Sequence, residues 1–525
     1  MAPRVLISDA LSQRALDLFA ERGVAVEQRV GLRPEELRAI IGEFDGLAIR
    51  SATKVGPALL SAATRLRVIG RAGIGVDNVD VAGATARGIV VMNTPFGNSI
   101  TTAEHAIAMM FALAREIPAA SASTRAGKWE KARFMGVELT GKTLGVIGCG
   151  NVGAIVVDRA LGLKMRVIAS DPFLTPERAR ALGTEKVELD ELFARADFIT
   201  LHTPLTAQTR GVLDAAALAR CKRGVRIVNC ARGGLIDEGA LLVALRAGQV
   251  AGAALDVYAE EPARDHPLFA LDNVVCTPHL GASTTEAQEN VALQIAAQMS
   301  DFLLSGAISH ALNMPAVSAE DAPRLRPYLA LADQLGSFVG QITPGGLLGV
   351  AIAYEGHVAE LNTRPLTHAA LAGLLRPSSA YVNAVNAPMV ARDRGIDVAE
   401  TRRETQGEYH TRMDLTVTTP SGTIHLGGTL FSGKPRLIEI DGVALESELT
   451  PCMLFVRNKD APGFIGKLGS ALGQAGVNIA NFNLGRVRPG ADAVCLVAVD
   501  EEIPAALLQQ IERLPGVVGV VPLRF

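Results

Sequence analysis

The chain of 525 residues has little that would tie it to nucleic acid, a membrane or a disulfide framework. Aromatic residues make up only 4 %, with a single tryptophan, too few for a repeated base-stacking platform. Lys and Arg number 51 against 54 Asp and Glu, a net charge of −3, so the basic surplus of a polyanion-binding protein is missing as well. No apolar run approaches the roughly 18 residues that a membrane span needs, although the mean hydropathy is +0.25. Neither nucleic acid nor membrane is expected as a partner. The 6 cysteines lie far apart with no Cys-x-x-Cys pair, which excludes zinc-ribbon and dithiol motifs and leaves reduced thiols, with no metal expected. The start, Met1-Ala-Pro-Arg-Val-Leu-Ile7, shows no basic-then-apolar leader, so a soluble, cytoplasmic protein is expected. The 52 glycines and 26 prolines fall short of low complexity, and the length predicts several domains.

What the chain does have, over its first 310 residues, is an alternation of short Val/Ile-rich runs with longer amphipathic stretches. Runs at 5–8, 46–49, 68–69, 90–93, 144–147, 167–169, 198–201, 226–229, 253–255 and 274–277 predict an α/β fold with parallel sheets. Continuously apolar runs such as Leu144-Gly-Val-Ile147 predict strands covered on both faces. Ser283-Thr-Thr-Glu286 reads as a capping box opening a helix to about Leu304, which returns the chain to the first sheet. The expected domains are therefore 1–98 with 283–310, 99–282, an α+β segment over 311–448, and 449–525. The α+β segment predicts strands at Leu348–Tyr354, Met413–Thr419 and Thr423–Leu430 and a helix at Thr367–Leu375. The last segment reads β-α-β-β-α-β.

Gly148-Cys-Gly150-Asn-Val-Gly153 follows the predicted strand 143–147 and opens a helix reaching about Leu163. The first glycine permits a tight turn, the second lets backbone approach a pyrophosphate, and the third allows close helix–strand packing. Phosphates would sit on the helix N-terminus, where unpaired N–H groups and the helix dipole favour negative charge. After the next strand stands Asp171, a carboxylate able to accept from both ribose hydroxyls of adenosine. Pro172 and Phe173 follow it instead of a cation, which favours NAD over a 2′-phosphorylated cofactor.

Three more residues follow the ends of predicted parallel strands, the edge at which open α/β sheets bind ligands: Arg232, Glu261 and His279. Moving a hydride from a secondary alcohol to nicotinamide needs a base for the hydroxyl proton, and an imidazole suits that task near neutral pH. His279 is the candidate. A carboxylate that fixes the tautomer and stabilises the imidazolium is assigned to Glu261, with Glu260 as its less favoured neighbour. Arg232, beside two glycines that let substrate approach closely, offers a planar fork for a substrate carboxylate.

Taken together, Gly148–Gly153 with Asp171, Asn229-Cys-Ala-Arg-Gly-Gly234, Glu260-Glu-Pro262 and Pro278-His-Leu-Gly-Ala-Ser283 resemble the D-isomer-specific 2-hydroxyacid dehydrogenases. Arg50-Ser-Ala-Thr-Lys54, Gly70-Arg-Ala-Gly-Ile-Gly-Val-Asp-Asn-Val-Asp80 and Asn93-Thr-Pro-Phe-Gly-Asn98 are similar to the long-form members that act on 3-phosphoglycerate. The resemblance implies a Rossmann-type nucleotide-binding domain inserted in a flavodoxin-like substrate domain, then an α+β intervening domain and a ferredoxin-like ACT domain. It implies catalysis by Arg232, Glu261 and His279. Beside the three glycines, NAD contacts are implied from Asn151, Val152, Asp171, Thr203, Cys230, Ala231, Asp256, His279, Leu280, Gly281 and Ala282, with Asp256 facing the carboxamide end. The implied activity is NAD-dependent oxidation of 3-phosphoglycerate, the first step of serine synthesis.

A phosphorylated substrate needs cations away from Arg232. Arg50 and Arg71, each following an apolar strand, are the candidates, helped by Asn98 and the Gly73–Gly75 backbone. The segment Lys128-Trp-Glu-Lys-Ala-Arg133 is either a solvated basic loop or, as the resemblance implies, an arm across a dimer that lends Lys131 or Arg133 to the neighbouring site. In the last domain Asp460 and Asn478 offer acceptors and donors for a zwitterionic amino acid. The resemblance implies L-serine as that effector and a homo-oligomer as its host. Two alternatives stay open: a dehydrogenase for another D-2-hydroxy acid, and an NAD-sensing protein similar to the C-terminal-binding-protein corepressors.

Overall fold

The computed structural model describes residues 2–343, 345–379, 381–404 and 407–525, which build four sheets. In the first, β1 (Arg4–Ile7), β2 (Ala25–Gln28), β3 (Gly46–Ile49), β4 (Val68–Arg71) and β5 (Val90–Asn93) run parallel in the order β2–β1–β3–β4–β5. This is the flavodoxin-like doubly wound order. Successive side chains point to opposite faces, so Val5, Ile7, Val68, Val90 and Met92 enter one core and Leu6, Leu47, Ile49, Ile69 and Val91 another.

The second sheet holds β6 (Thr143–Ile147), β7 (Arg166–Ser170), β8 (Glu185–Lys186), β9 (Phe198–Leu201), β10 (Val225–Asn229), β11 (Val250–Leu255) and β12 (Val274–Cys276). All are parallel, in the order β12–β11–β10–β9–β6–β7–β8. Counted from β6, the first six follow the 3-2-1-4-5-6 order of dinucleotide-binding folds, with the switch point between β6 and β9. Helix Ser99–Ala114 carries the chain from the first sheet to the second, and helix Thr285–Ser305 carries it back. The cap of the returning helix is Thr284, which accepts from Ala287 N at 3.2 Å. The predicted box at Ser283 and Glu286 is displaced by one residue, because Ser283 N donates to the Leu280 carbonyl and belongs to the preceding turn.

Helix Asp321–Ile342 leads into a mixed sheet of β13 (Gly349–Gly356), β14 (Asp397–Arg403), β15 (Thr411–Thr419), β16 (Gly422–Phe431), β17 (Lys434–Ile440) and β18 (Val443–Ser447), ordered β14–β13–β15–β16–β17–β18. The last sheet, β19 (Cys452–Lys459), β20 (Ile479–Arg486), β21 (Asp492–Val499) and β22 (Val517–Arg524), is antiparallel in the order β20–β21–β19–β22. One of its faces, with Leu454, Val456 and Val497, lies under its own two helices. The other, with Met453, Phe455, Leu496 and Leu523, joins a core that runs unbroken through the third sheet to the first. Helix Asp321–Ile342 makes that bridge. Its Phe338 meets Phe455 edge-on at 5.3 Å, and the Gln341 amide exchanges two hydrogen bonds with the backbone of Arg524, at 2.8 and 2.9 Å. Among the described residues no helix is long and apolar enough to cross a membrane.

The third sheet carries a charge network on β15, β16 and β17: Arg412 pairs with Asp414 and Glu439, both at 2.8 Å, and His425 Nε2 lies 3.4 Å from Asp414. The bond to Asp414 holds the His425 imidazolium to higher pH than the ordinary 6.5. A group raised on folding stabilises fully below 6.5 and loses that contribution as pH climbs through its folded value. His425→Gln should therefore lower the melting temperature more at pH 6 than at pH 9, in matched thermal scans.

Candidate active site

The loops after the carboxyl ends of the second sheet's strands carry Arg232, Glu261 and His279, and Arg232 reaches the first sheet's loops. After β12, His279 Nδ1 lies 2.7 Å from Glu261 Oε2, which leaves Nε2 as the ring nitrogen open to the cleft. Glu261 Oε1 accepts from Tyr258 N at 3.0 Å. Burial works against the Glu261 carboxylate, but the His279 and Tyr258 donors outweigh it and hold its pKa below the usual range. Glu260 makes no such contact. His279 adopts φ +55°, a left-handed backbone rarely taken by a non-glycine residue.

Arg232, just beyond β10, reaches across the cleft. Its Nε donates to Asp77 Oδ2 at 2.8 Å and its Nη1 to the Ala231 carbonyl at 2.6 Å. Asp77 belongs to the loop after β4, so this ion pair spans the two sheets; the sequence reading missed it. The reading also misjudged the glycines beside Arg232. A Cβ at Gly233 would overlap the Tyr258 carbonyl, so that space admits the neighbouring loop and not substrate.

On the facing side stand Arg50 and Arg71. Burial first, and then the charges of Arg232 and Arg50, pull the Arg71 pKa down to about 10, the sign of three guanidinium groups gathered around one cleft. Asp9 fixes the Arg50 loop by accepting from Arg50 N at 2.7 Å and from Thr53 Oγ1 at 2.7 Å. Arg71 Nε, Thr94 Oγ1 and Asn98 Oδ1 are buried without a hydrogen-bond partner among the described residues, as a site built for a polar ligand would leave them.

At the switch point Gly148 takes φ +88° against the His202 carbonyl, Gly150 has nothing within 4 Å of a would-be Cβ, and a Cβ at Gly153 would overlap the Gly148 carbonyl. Turn, open floor and close packing thus fall on the three glycines in that order, and helix Asn151–Gly162 starts directly behind them. This cradle fits a dinucleotide. Asn151 lies at its rim, its Nδ2 3.3 Å from the Pro95 carbonyl, and Val152 is half-buried behind it. Asp171 accepts from Cys149 N at 2.8 Å and Phe173 N at 2.7 Å, which anchors the carboxylate beside the loop. Thr203 follows β9, Cys230 is buried with its thiol pKa pushed up by burial and by Asp256, and Ala231 is half-buried beside it. Leu280 is exposed, Gly281 buried and Ala282 half-buried. Asp256 is wholly buried and accepts from Thr277 Oγ1, Leu280 N and Gly281 N at 2.6, 2.7 and 2.8 Å; its Oδ2 holds the Gly281 bond alone.

The remaining candidates lie elsewhere. Arg133 pairs with Asp272 at 3.4 Å, at the amino end of β12, away from its own cleft; Lys131 and Trp129 beside it are exposed. Asp460 and Asn478 sit at opposite ends of the fourth sheet. Asp460 follows β19, pairs with Arg486 Nη1 at 2.5 Å and accepts from Gly490 N; Asn478 precedes β20 and donates to Asp500 at 2.6 Å. Because β19 and β20 run parallel either side of β21, about eight residues or ~25 Å of strand separate them in one copy.

The chain is similar to known proteins. Residues 107–281 match the D-isomer specific 2-hydroxyacid dehydrogenase NAD binding domain, 324–441 the D-3-phosphoglycerate dehydrogenase intervening domain, and 453–516 the ACT domain. The D-3-phosphoglycerate dehydrogenase of Synechocystis sp. is 43 % identical over 517 residues, 98 % of this chain and 93 % of its own. That of Methanocaldococcus jannaschii is 41 % identical over 519 residues, 98 % and 99 % of the two chains. Among solved structures, the TT0316 protein from Thermus thermophilus superposes with a TM-score of 0.55 at 36 % identity, covering 59 % of this chain and 99 % of that one. A dinucleotide cradle beside an imidazole–carboxylate pair, joined to full-length likeness of this degree, has one reading: the chain is an NAD-dependent dehydrogenase and belongs to the D-3-phosphoglycerate dehydrogenases, within the D-isomer-specific 2-hydroxyacid dehydrogenase family.

Proposed function

We propose that the chain oxidises 3-phospho-D-glycerate to 3-phosphooxypyruvate, the first step of L-serine synthesis, and that Arg232, Glu261 and His279 carry the reaction. Bound NAD supplies the hydride acceptor. His279 Nε2 takes the hydroxyl proton as the carbon–hydrogen bond breaks, and Glu261 steadies the imidazolium through Nδ1. Arg232 grips the substrate carboxylate with the donors that Asp77 and the Ala231 carbonyl leave free, setting the carbon in line. Gly148, Gly150 and Gly153 with Asn151 and Val152 hold the pyrophosphate, Asp171 the adenosine ribose, and Thr203, Cys230 and Ala231 line the crevice. Asp256 backs the carboxamide end from beneath the 280–281 backbone, and Leu280–Ala282 close that end.

The observation that carries this reading is the gathering of Arg50, Arg71 and Arg232 about one cleft, with Arg71 Nε buried and without a hydrogen-bond partner among the described residues. A monoanionic 2-hydroxy acid needs one such cation; a phosphorylated one uses all three. In initial-rate assays of NADH formation, Arg50→Ala and Arg71→Ala should each raise KM for 3-phosphoglycerate by roughly tenfold or more, the worth of a charge-assisted contact, and change the rate with D-glycerate by less than about threefold. Equal losses with both substrates would assign the arginines to the fold.

The reading extends to a cytoplasmic homo-oligomer inhibited by L-serine. Separation of Asp460 from Asn478 within one chain supports a ligand held between two fourth sheets paired head to tail, where the Asp460 end of one copy meets the Asn478 end of the next. The place of Arg133 supports reach toward a neighbouring copy for that residue and Lys131.

A further inference from the structure

The strained backbone of His279 needs something to hold it, since a non-glycine residue at φ +55° survives only where its surroundings fix it. Here three successive N–H groups converge on one residue. His279 N donates to the Asp256 carbonyl at 2.8 Å, Leu280 N to Oδ1 at 2.7 Å and Gly281 N to Oδ2 at 2.8 Å. Consecutive N–H groups around a left-handed residue form an anion-binding concavity, and the anion in this one is the Asp256 carboxylate. A carboxylate with no solvent contact stays ionised only if donors replace the lost water. Burial opposes the charge, and side-chain donors from elsewhere tip the balance: Thr277 Oγ1, and His105 Nε2 at 3.2 Å from Oδ1.

His105 had no part in the sequence reading. It lies on helix Ser99–Ala114, which begins beside Asn98 at the substrate end and crosses to the second sheet. One turn earlier, Thr102 Oγ1 donates to the Gly281 carbonyl at 2.9 Å, so the same helix grips the His279 loop twice.

We propose that His105 is a positioning residue for hydride transfer: its Nε2, 3.2 Å from Asp256 Oδ1 and 3.4 Å from Thr277 Oγ1, holds the carboxylate around which the His279 loop is wound. It acts through Asp256 and Thr277 and not on the reacting atoms. The proposal rests on His279 being the base.

The test is His105→Leu beside His105→Gln in the full chain, since the glutamine amide nitrogen can donate from close to the Nε2 position. His105→Leu should lower kcat with 3-phosphoglycerate about 10- to 100-fold, the cost of a misplaced reacting group, with KM within about threefold. Amide hydrogen exchange at residues 279–281 should accelerate roughly tenfold or more. His105→Gln should return both readings to within about threefold of the parent. A kcat within twofold of the parent for His105→Leu, unchanged exchange at 279–281, or a glutamine variant as impaired as the leucine one would each overturn the proposal. Parent protein that reduces no NAD with 3-phosphoglycerate, while the exchange pattern responds as stated, would remove the substrate reading and leave the role of His105 in the loop standing.

Discussion

His279→Asn should lower kcat by roughly 1,000-fold, within the range general base catalysis supplies, and leave the affinity for NAD within about threefold. Asparagine is the informative replacement because it tolerates the left-handed backbone better than any other side chain except glycine. The turn at φ +55° and its three N–H bonds to Asp256 are thereby kept, and the loss isolates the imidazole. Glu261 remains, held by Tyr258 N at 3.0 Å behind the place that the imidazole occupied. Initial rates with 3-phosphoglycerate and a fluorescence titration with NADH measure the two quantities. Turnover within tenfold of the parent would move the base to another group, and a parallel collapse of NADH binding would mean that the loop itself had failed.

Arg232→Lys should cost roughly 100- to 1,000-fold in kcat/KM for the hydroxy acid even though the charge is kept. Lysine offers a point charge where the guanidinium offers a planar fork, so two-point alignment of a carboxylate is lost. It also loses the Nε that donates to Asp77 at 2.8 Å, the ion pair that spans the cleft. Asp77→Asn keeps an acceptor for Nε and should fall between the parent and Arg232→Lys. A lysine variant within threefold of the parent would show that Arg232 acts only by attracting anions, which either cation does.

The ten predicted strands of the first 310 residues coincide with strands of the first two sheets, because parallel strands covered on both faces are written as unbroken apolar runs. The two strands of those sheets that escaped lie at edges. β2 reads Ala-Val-Glu-Gln and β8 only Glu-Lys, both without a second buried face. Helix Asp321–Ile342 escaped for another reason: Pro323 and Pro327 stand in a segment that otherwise packs ten buried residues, and proline inside a helix reads as a break. β14, with every residue exposed, has no apolar signature at all.

At the site, the residues that follow apolar strands were legible, since the sheet itself delivers them to one edge. Asp77, Asp9 and His105 were not. Each acts through a partner far away in sequence, 155 residues for Asp77 with Arg232 and 41 for Asp9 with Arg50, and no local pattern announces such a pair. The opposite placement of Asp460 and Asn478 was hidden likewise, because strand direction in the fourth sheet follows from pairing and not from either loop's composition.

The continuous interior shared by the first, third and fourth sheets divides this molecule differently from its string of segments. The strands that carry Arg50 and Arg71 and the fourth sheet belong to one body, while the glycine cradle lies on another with its own interiors. Helices Ser99–Ala114 and Thr285–Ser305 cross between them and the Arg232–Asp77 ion pair ties the facing loops, so whatever binds the far sheet shares its interior with the strands that carry Arg50 and Arg71 and not with the glycine cradle.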